Sequence, residues 1–117
     1  MHEANEIHFN RNSDAVFTEL LALGNFEEVG LESSDKTYGT ENRSFLNLYF
    51  NLNSYHEQGN INYYEIGGSA MGIIFESIDN EKDFDLYYVY FLKPKAEDGE
   101  ETEIAFTAQF NYAEIIK

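Results

Sequence analysis

The chain has 117 residues, 43% of them apolar and 16% aromatic, with no cysteine. That is enough for one hydrophobic core, and it excludes disulfides, thiol catalysis and cysteine-held zinc. Twenty-two Asp and Glu against seven Lys and Arg give a formal charge of −15, which repels phosphate backbones and anionic lipid and draws basic partners.

The first residues carry no basic stretch followed by an apolar one, so no signal peptide is expected, and no apolar run is long enough to cross a bilayer. A single cytoplasmic domain over 1–117 is the expectation. In chain order, residues 6–10 suit a short strand and 12–24 an amphipathic helix. Asn12 or Ser13 is placed to cap it, Asp14 lies in its first turn, and Gly24 is placed to end it. Val16, Phe17, Leu20, Leu21 and Leu23 form its apolar stripe. Residues 26–32 read as a strand and 33–43 as a polar loop with a short strand near Tyr38.

From Ser44 onward the pattern alternates. Leu46, Leu48, Phe50 and Leu52 share one face of a strand, and Phe45, Asn47, Tyr49, Asn51, Asn53 and Tyr55 share the other. A turn at 56–60 leads to strands at 61–66 and 70–78, with Gly67-Gly68-Ser69 between them as a turn or a bulge. After the turn "DNEK" comes a strand at 84–92, with Phe84, Leu86, Tyr88, Tyr90 and Leu92 directed to the core. An acidic loop, "KPKAEDGEE", precedes a last strand at 102–112, where Ile104, Phe106, Ala108, Phe110 and Tyr112 share a face. The expected fold is α+β: one N-terminal amphipathic helix packed on an antiparallel meander of about five or six strands. Val16, Leu20, Leu48, Phe50, Phe106 and Phe110 are its expected core.

Catalytic motifs fail on inspection. His2, His8 and His56 have no metal-site spacing, so neither metal nor cofactor is expected. Asp79, Glu81, Asp83 and Asp85 imitate the start of a calcium loop, but Phe84 stands where that loop needs Gly and Tyr90 where it needs Glu. "GGSAMG" has Met71 where a nucleophile elbow has Gly. Glu65 and Glu76 are the carboxylates that a pocket between helix and sheet would have to bury for an enzyme or ligand-binding domain.

Two features point to binding instead. Tyrosine is abundant and alternates with asparagine, as on a wet sheet face used for docking. Asp83 with Asp85, and Glu101 with Glu103, stand two residues apart, which on strands spaces like charges by about 6.7 Å, against about 3.4 Å for phosphates along one DNA strand. The candidate partner-binding residues are therefore Tyr49, Asn51, Asn53, Tyr55, Asp79, Glu81, Asp83, Asp85, Glu101 and Glu103.

In size, acidity and lack of catalytic apparatus the chain resembles small acidic inhibitors of bacterial or phage origin, namely immunity proteins against toxins and nucleic-acid mimics. No motif carries that resemblance, so no residue role is transferred. It implies a non-enzymatic protein, monomeric or homodimeric, that neutralises a basic partner by occlusion, such as a nuclease-type toxin. It would not bind nucleic acid or membrane directly. The alternatives are a cytoplasmic chaperone for a secreted effector, a class that usually needs more helix than the single one expected here, and a small ligand-binding domain or enzyme with its pocket between helix and sheet.

Overall fold

The computed structural model describes residues 6–24, 26–52, 62–94 and 101–111, with Tyr38 described by its backbone only. The first helix, α1 (Ser13–Leu21), starts where the sequence suggests: Asn12 Oδ1 accepts from the backbone N–H of Asp14 at 2.8 Å and of Ala15 at 3.3 Å. These bonds satisfy two of the donors that a helix start leaves open. Val16 and Leu20 are fully buried beneath it.

Two long strands follow, β1 (Phe26–Tyr38) and β2 (Glu41–Leu52), antiparallel and paired up to Tyr38↔Glu41. Gly39 turns the chain at φ 63°, a conformation that costs glycine little. The expected loop at 33–43 is therefore mostly ladder. Its polar residues are held by cross-strand hydrogen bonds in place of apolar burial. Ser44 Oγ donates to Asp35 Oδ1 at 2.9 Å, Asn47 Nδ2 to Ser34 Oγ at 2.9 Å, and Thr37 Oγ1 to Asn42 Oδ1 at 3.1 Å.

The largest correction concerns 61–78. In place of two strands around Gly67-Gly68 there is one helix, α2 (Tyr63–Ser77), 15 residues long. Asn62 caps it reciprocally with Glu65: Oδ1 accepts from the Glu65 N–H at 3.1 Å and Nδ2 donates to Glu65 Oε2 at 3.2 Å. Gly67, Ala70, Met71, Ile74 and Ser77 are buried, which is helical spacing. A Cβ on Gly67 would stand 3.5 Å from the Phe110 ring, so the helix lies close against the last strand.

Because a helix joins them, β2 and the next strand, β3 (Leu86–Pro94), run parallel. β3 then pairs antiparallel with β4 (Thr102–Phe110). The sheet among the described residues has four strands in the order β1-β2-β3-β4 and is mixed, not an antiparallel meander of five or six. Residues 6–10 make only a single bridge, Phe9↔Ile78, held by Asn10 N–H to Ser77 O and Asp79 N–H to His8 O, each 2.8 Å.

Both helices cover one face of this sheet. Leu46, Leu48, Phe50 and Leu52 meet Tyr87, Val89, Phe91, Ala108 and Phe110 there, with Val16, Leu20, Met71 and Ile74 above them. Phe26, Phe50 and Phe91 pack across three strands, the first two tilted at 4.4 Å and the last two stacked at 5.3 Å. Of the expected core, Val16, Leu20, Leu48, Phe50 and Phe110 are buried, whereas Phe106 is partly buried against Tyr63. Tyr88 and Tyr90 do not face the core: in "LYYVYFL" both parities are apolar or aromatic, and Tyr87, Val89 and Phe91 take the inward set. In β4 the register slips between Phe91↔Phe106 and Leu92↔Ile104, leaving Ala105 as the extra residue. Ile104 consequently leaves the face of Phe106 and is 59% exposed.

Gly68 and Gly72 lie inside α2 with open space where a Cβ would stand. Gly68→Ala and Gly72→Ala should each stabilise the protein by about 0.5–1 kcal/mol, because alanine loses less backbone freedom in a helix. Urea unfolding measures this. Destabilisation by both would mean that 63–77 is not helical.

Candidate binding face

Among the described residues no helix lies on the other face of the sheet, and the centre of that face is aromatic. Tyr49 and Tyr90 are register partners on β2 and β3, with rings stacked at 5.1 Å and 14°. Tyr90 also stacks on Tyr88 at 5.9 Å, and Tyr88 meets Phe45 at 5.8 Å. Four rings thus form one strip across the two central strands. The three tyrosines are half-buried, while Phe45 and Asn47 are buried.

The β1 side of the strip is acidic and ordered. Tyr49 Oη donates to Glu32 Oε1 at 2.8 Å, and Asn51 Nδ2 donates to Glu28 Oε1 at 3.0 Å. The Oε2 atom of each carboxylate has no partner among the described residues. Between these two acids stands Gly30, the register partner of Tyr49, and nothing lies within 4 Å of where its Cβ would be. An adjoining groove of about 460 Å³ is lined by Glu32, Lys36, Asn47, Tyr49, Tyr88 and Tyr90, among others.

Burial, then the hydrogen bond to Glu32 and the negative charge of that carboxylate, push the Tyr49 phenol from 10.0 up to about 12. Burial, then Tyr88, raises Tyr90 as well. Both remain neutral O–H groups at neutral pH.

Of the sequence-derived candidates, Tyr49 and Asn51 lie on this face; Asn53 and Tyr55 fall outside the described residues. The acids are dispersed. Asp83 ends a short 3₁₀ turn (Glu81–Asp83) and Asp85 precedes β3, so neither stands on a strand. Three of the loop acids tie the chain together: Asp79 Oδ1 accepts from Asn10 Nδ2 at 3.1 Å, Asp83 Oδ2 from Asn80 Nδ2 at 3.1 Å, and Asp85 Oδ2 from the Ser44 N–H at 2.8 Å. The Glu81 carbonyl accepts from Tyr87 Oη. Glu101 precedes β4, and Glu103 pairs with Lys93 at 3.8 Å. The two acidic groups therefore sit at opposite ends of β3, roughly 26 Å apart at about 3.3 Å per residue. They do not form a row at phosphate-like spacing.

Tyr88, Tyr90, Glu28 and Glu32 are the residues that sequence reading missed. The two glutamates had a signal in "EEVGLE", where they flank Gly30 at alternate positions, once β1 is read as extending past Glu32. Glu65 and Glu76 are exposed on α2, so neither is enclosed between helix and sheet. His8 is exposed, with Glu6 3.8 Å from its imidazole; His2 and His56 lie outside the described residues. Among the described residues no three metal-ligating side chains converge, and no helix is long and apolar enough to cross a membrane. The chain matches no family model, no curated protein and no solved structure.

The raised phenol has a consequence for stability. The native state holds the Tyr49 proton more tightly than the unfolded chain, so its contribution is intact below pH 10 and is lost as pH climbs towards 12. Tyr49→Phe should remove this part of the alkaline decline. Glu32→Gln should lower the phenol's pKa only part of the way, since burial remains. Site-resolved NMR titration of the Tyr49 ring reads both effects; an ordinary tyrosine value would mean that the ring is fully solvated.

Proposed function

We propose that the chain is a non-enzymatic binding protein that docks a basic protein on the sheet face opposite α1 and α2 and neutralises it by occlusion. One observation carries the reading: the strip of Phe45, Tyr49, Tyr88 and Tyr90, bordered by Glu28 and Glu32, in a chain of net charge −15. Tyrosine supplies large contact area at small entropic cost and keeps a polar tip for hydrogen bonding. The dispersed carboxylates act at longer range, as a field that raises the encounter rate with a cationic surface. A nuclease-type toxin or another nucleic-acid-handling protein presents such a surface, because Lys and Arg hold its phosphates. Seating those side chains on this face would deny them to nucleic acid. The acids work here as a field with two local carboxylates, not as a template of phosphate positions.

The second reading, a chaperone for a secreted effector, gains from α2, since the described residues hold two α-helices where the sequence suggested one. The two differ in the state of the client. An inhibitor binds a folded basic protein, and a chaperone holds an extended segment of an unfolded one.

The test is kinetic. A partner captured at low salt and then purified should lose its nucleic-acid binding on adding this protein. Tyr90→Ala should speed dissociation by an amount worth about 2 kcal/mol, as at a binding hot spot. Reversing the charge of Glu101 and Glu103 should mainly slow association. Association should also slow with salt as the Debye length falls from about 10 Å at 0.1 M to about 3 Å at 1 M. A partner indifferent to both Tyr90→Ala and Tyr49→Ala would remove this face from the account.

A further inference from the structure

We infer that the slot above Gly30 is a subsite for one arginine side chain of the basic partner. The inference rests on the docking reading above and names the side chain that the centre of the face takes. Its geometry comes from three strands. The Tyr49 ring has one side stacked on Tyr90, at 5.1 Å and 14°. Because β2 lies between β3 and β1, the other side of that ring looks towards β1. The residue paired with Tyr49 there is Gly30, and the space that a side chain would fill is open. A flat aromatic wall thus borders an unfilled site of side-chain width.

The chemistry at its ends is anionic. Glu28 and Glu32 stand two residues to either side of Gly30, on the same face of β1. Each spends Oε1 on a neighbour, Asn51 or Tyr49, which fixes the carboxylate and leaves Oε2 without a partner among the described residues. Tyr49 stays protonated well past neutral pH, so its bond to Glu32 persists there.

A guanidinium suits this arrangement better than an ammonium. It is planar, weakly hydrated and stacks on aromatic faces, and its fork of donors reaches carboxylates while its plane rests on the ring. An ammonium is a strongly hydrated point charge that cannot lie flat on the ring and gains less from the wall. The adjoining groove is not purely anionic, since Lys36 lines it with Glu32 and Asp35. That favours a cation reaching the Gly30 slot, on the far side of Glu32 from Lys36 along β1.

The experiment uses the full chain and two probes, an oligo-arginine peptide and an oligo-lysine peptide of equal length. Oligo-arginine should bind about tenfold more tightly, the scale of a cation–aromatic contact at a partly desolvated site, and should shift the Tyr49 ring signals. Gly30→Val is the decisive variant, because its side chain enters open space, suits a strand and alters no charge. It should keep or raise the thermal stability and bring the two peptides to equal affinity. Glu32→Gln should reduce the preference for arginine in the same direction.

A preference that survives Gly30→Val, or that is absent from the unaltered protein, overturns the subsite. Should both peptides bind equally and both weaken with Tyr90→Ala, the subsite fails while the docking reading stands. If neither peptide binds, the subsite fails, and the docking reading is decided separately by the purified partner and Tyr90→Ala. Dimerisation that rises with concentration and is abolished by Gly30→Val would place a second copy on this face, and also overturns the inference.

Discussion

The parallel pairing of β2 with β3 is the constraint on which the rest of the molecule depends. Its register sets Phe50 against Phe91 on one side of the sheet and Tyr49 against Tyr90 on the other, one residue along. A single alignment thus builds the centre of the core and the centre of the outer strip together. It also requires a crossover connection, and α2 is that connection. Strands in parallel sheets are usually covered on both faces and read as near-continuous apolar runs. "LYYVYFL" in β3 is such a run. Its Tyr87, Val89 and Phe91 have their cover in the helices; among the described residues no helix covers Tyr88 and Tyr90.

The edges of the sheet are poorly suited to adding a strand, which fits the proposal that a partner docks on this face. β1, an outer strand, carries Glu27, Glu28, Glu32, Asp35 and Lys36, the charged composition that protects sheet edges from pairing. β4, at the other edge, is shorter and is broken by the slip at Ala105, with Glu103 engaged by Lys93. Bulges and charge both discourage edge-to-edge addition. The aromatic strip, by contrast, is stacked through Tyr49, Tyr90 and Tyr88, and the hydrogen bond from Tyr49 to Glu32 ties it to β1.

The elements that could be read from sequence were those whose signal is local. Asn12 caps α1 by short-range hydrogen bonding, and the stripe at Val16 and Leu20 is set by helix period alone. The alternation of Leu46, Leu48, Phe50 and Leu52 fixed β2 and its inward face for the same reason. The α2 segment reads as strand in the sequence because Tyr63, Tyr64 and the isoleucines favour strands while Gly67, Gly68 and Gly72 disfavour helices. Its burial at 67, 70, 71 and 74, with the Asn62–Glu65 cap, was the competing signal, and tertiary packing against β4 decided the outcome. The inward parity of β3 was not legible at all, since either set of residues could have been core. Only the presence of α2 above the sheet, and the register with β2 that follows from it, turn Tyr88 and Tyr90 outward.

That dependence reaches the candidate site itself. Tyr49 was legible because it alternates with asparagines, but a lone half-buried tyrosine on a wet face is an ordinary strand residue. What distinguishes this position is non-local: a stacked ring behind it, a glycine beside it and two oriented carboxylates flanking that glycine. A larger residue at position 30 would bury the free side of the Tyr49 ring and contribute cross-strand packing. β1 instead keeps a glycine in a strand interior, where glycine costs roughly 0.5–1 kcal/mol relative to alanine, at a point where φ is not positive and no neighbour forces the small residue. A positive φ does not account for Gly30, and neither does crowding. On the subsite we infer, access to the face of the aromatic ring does.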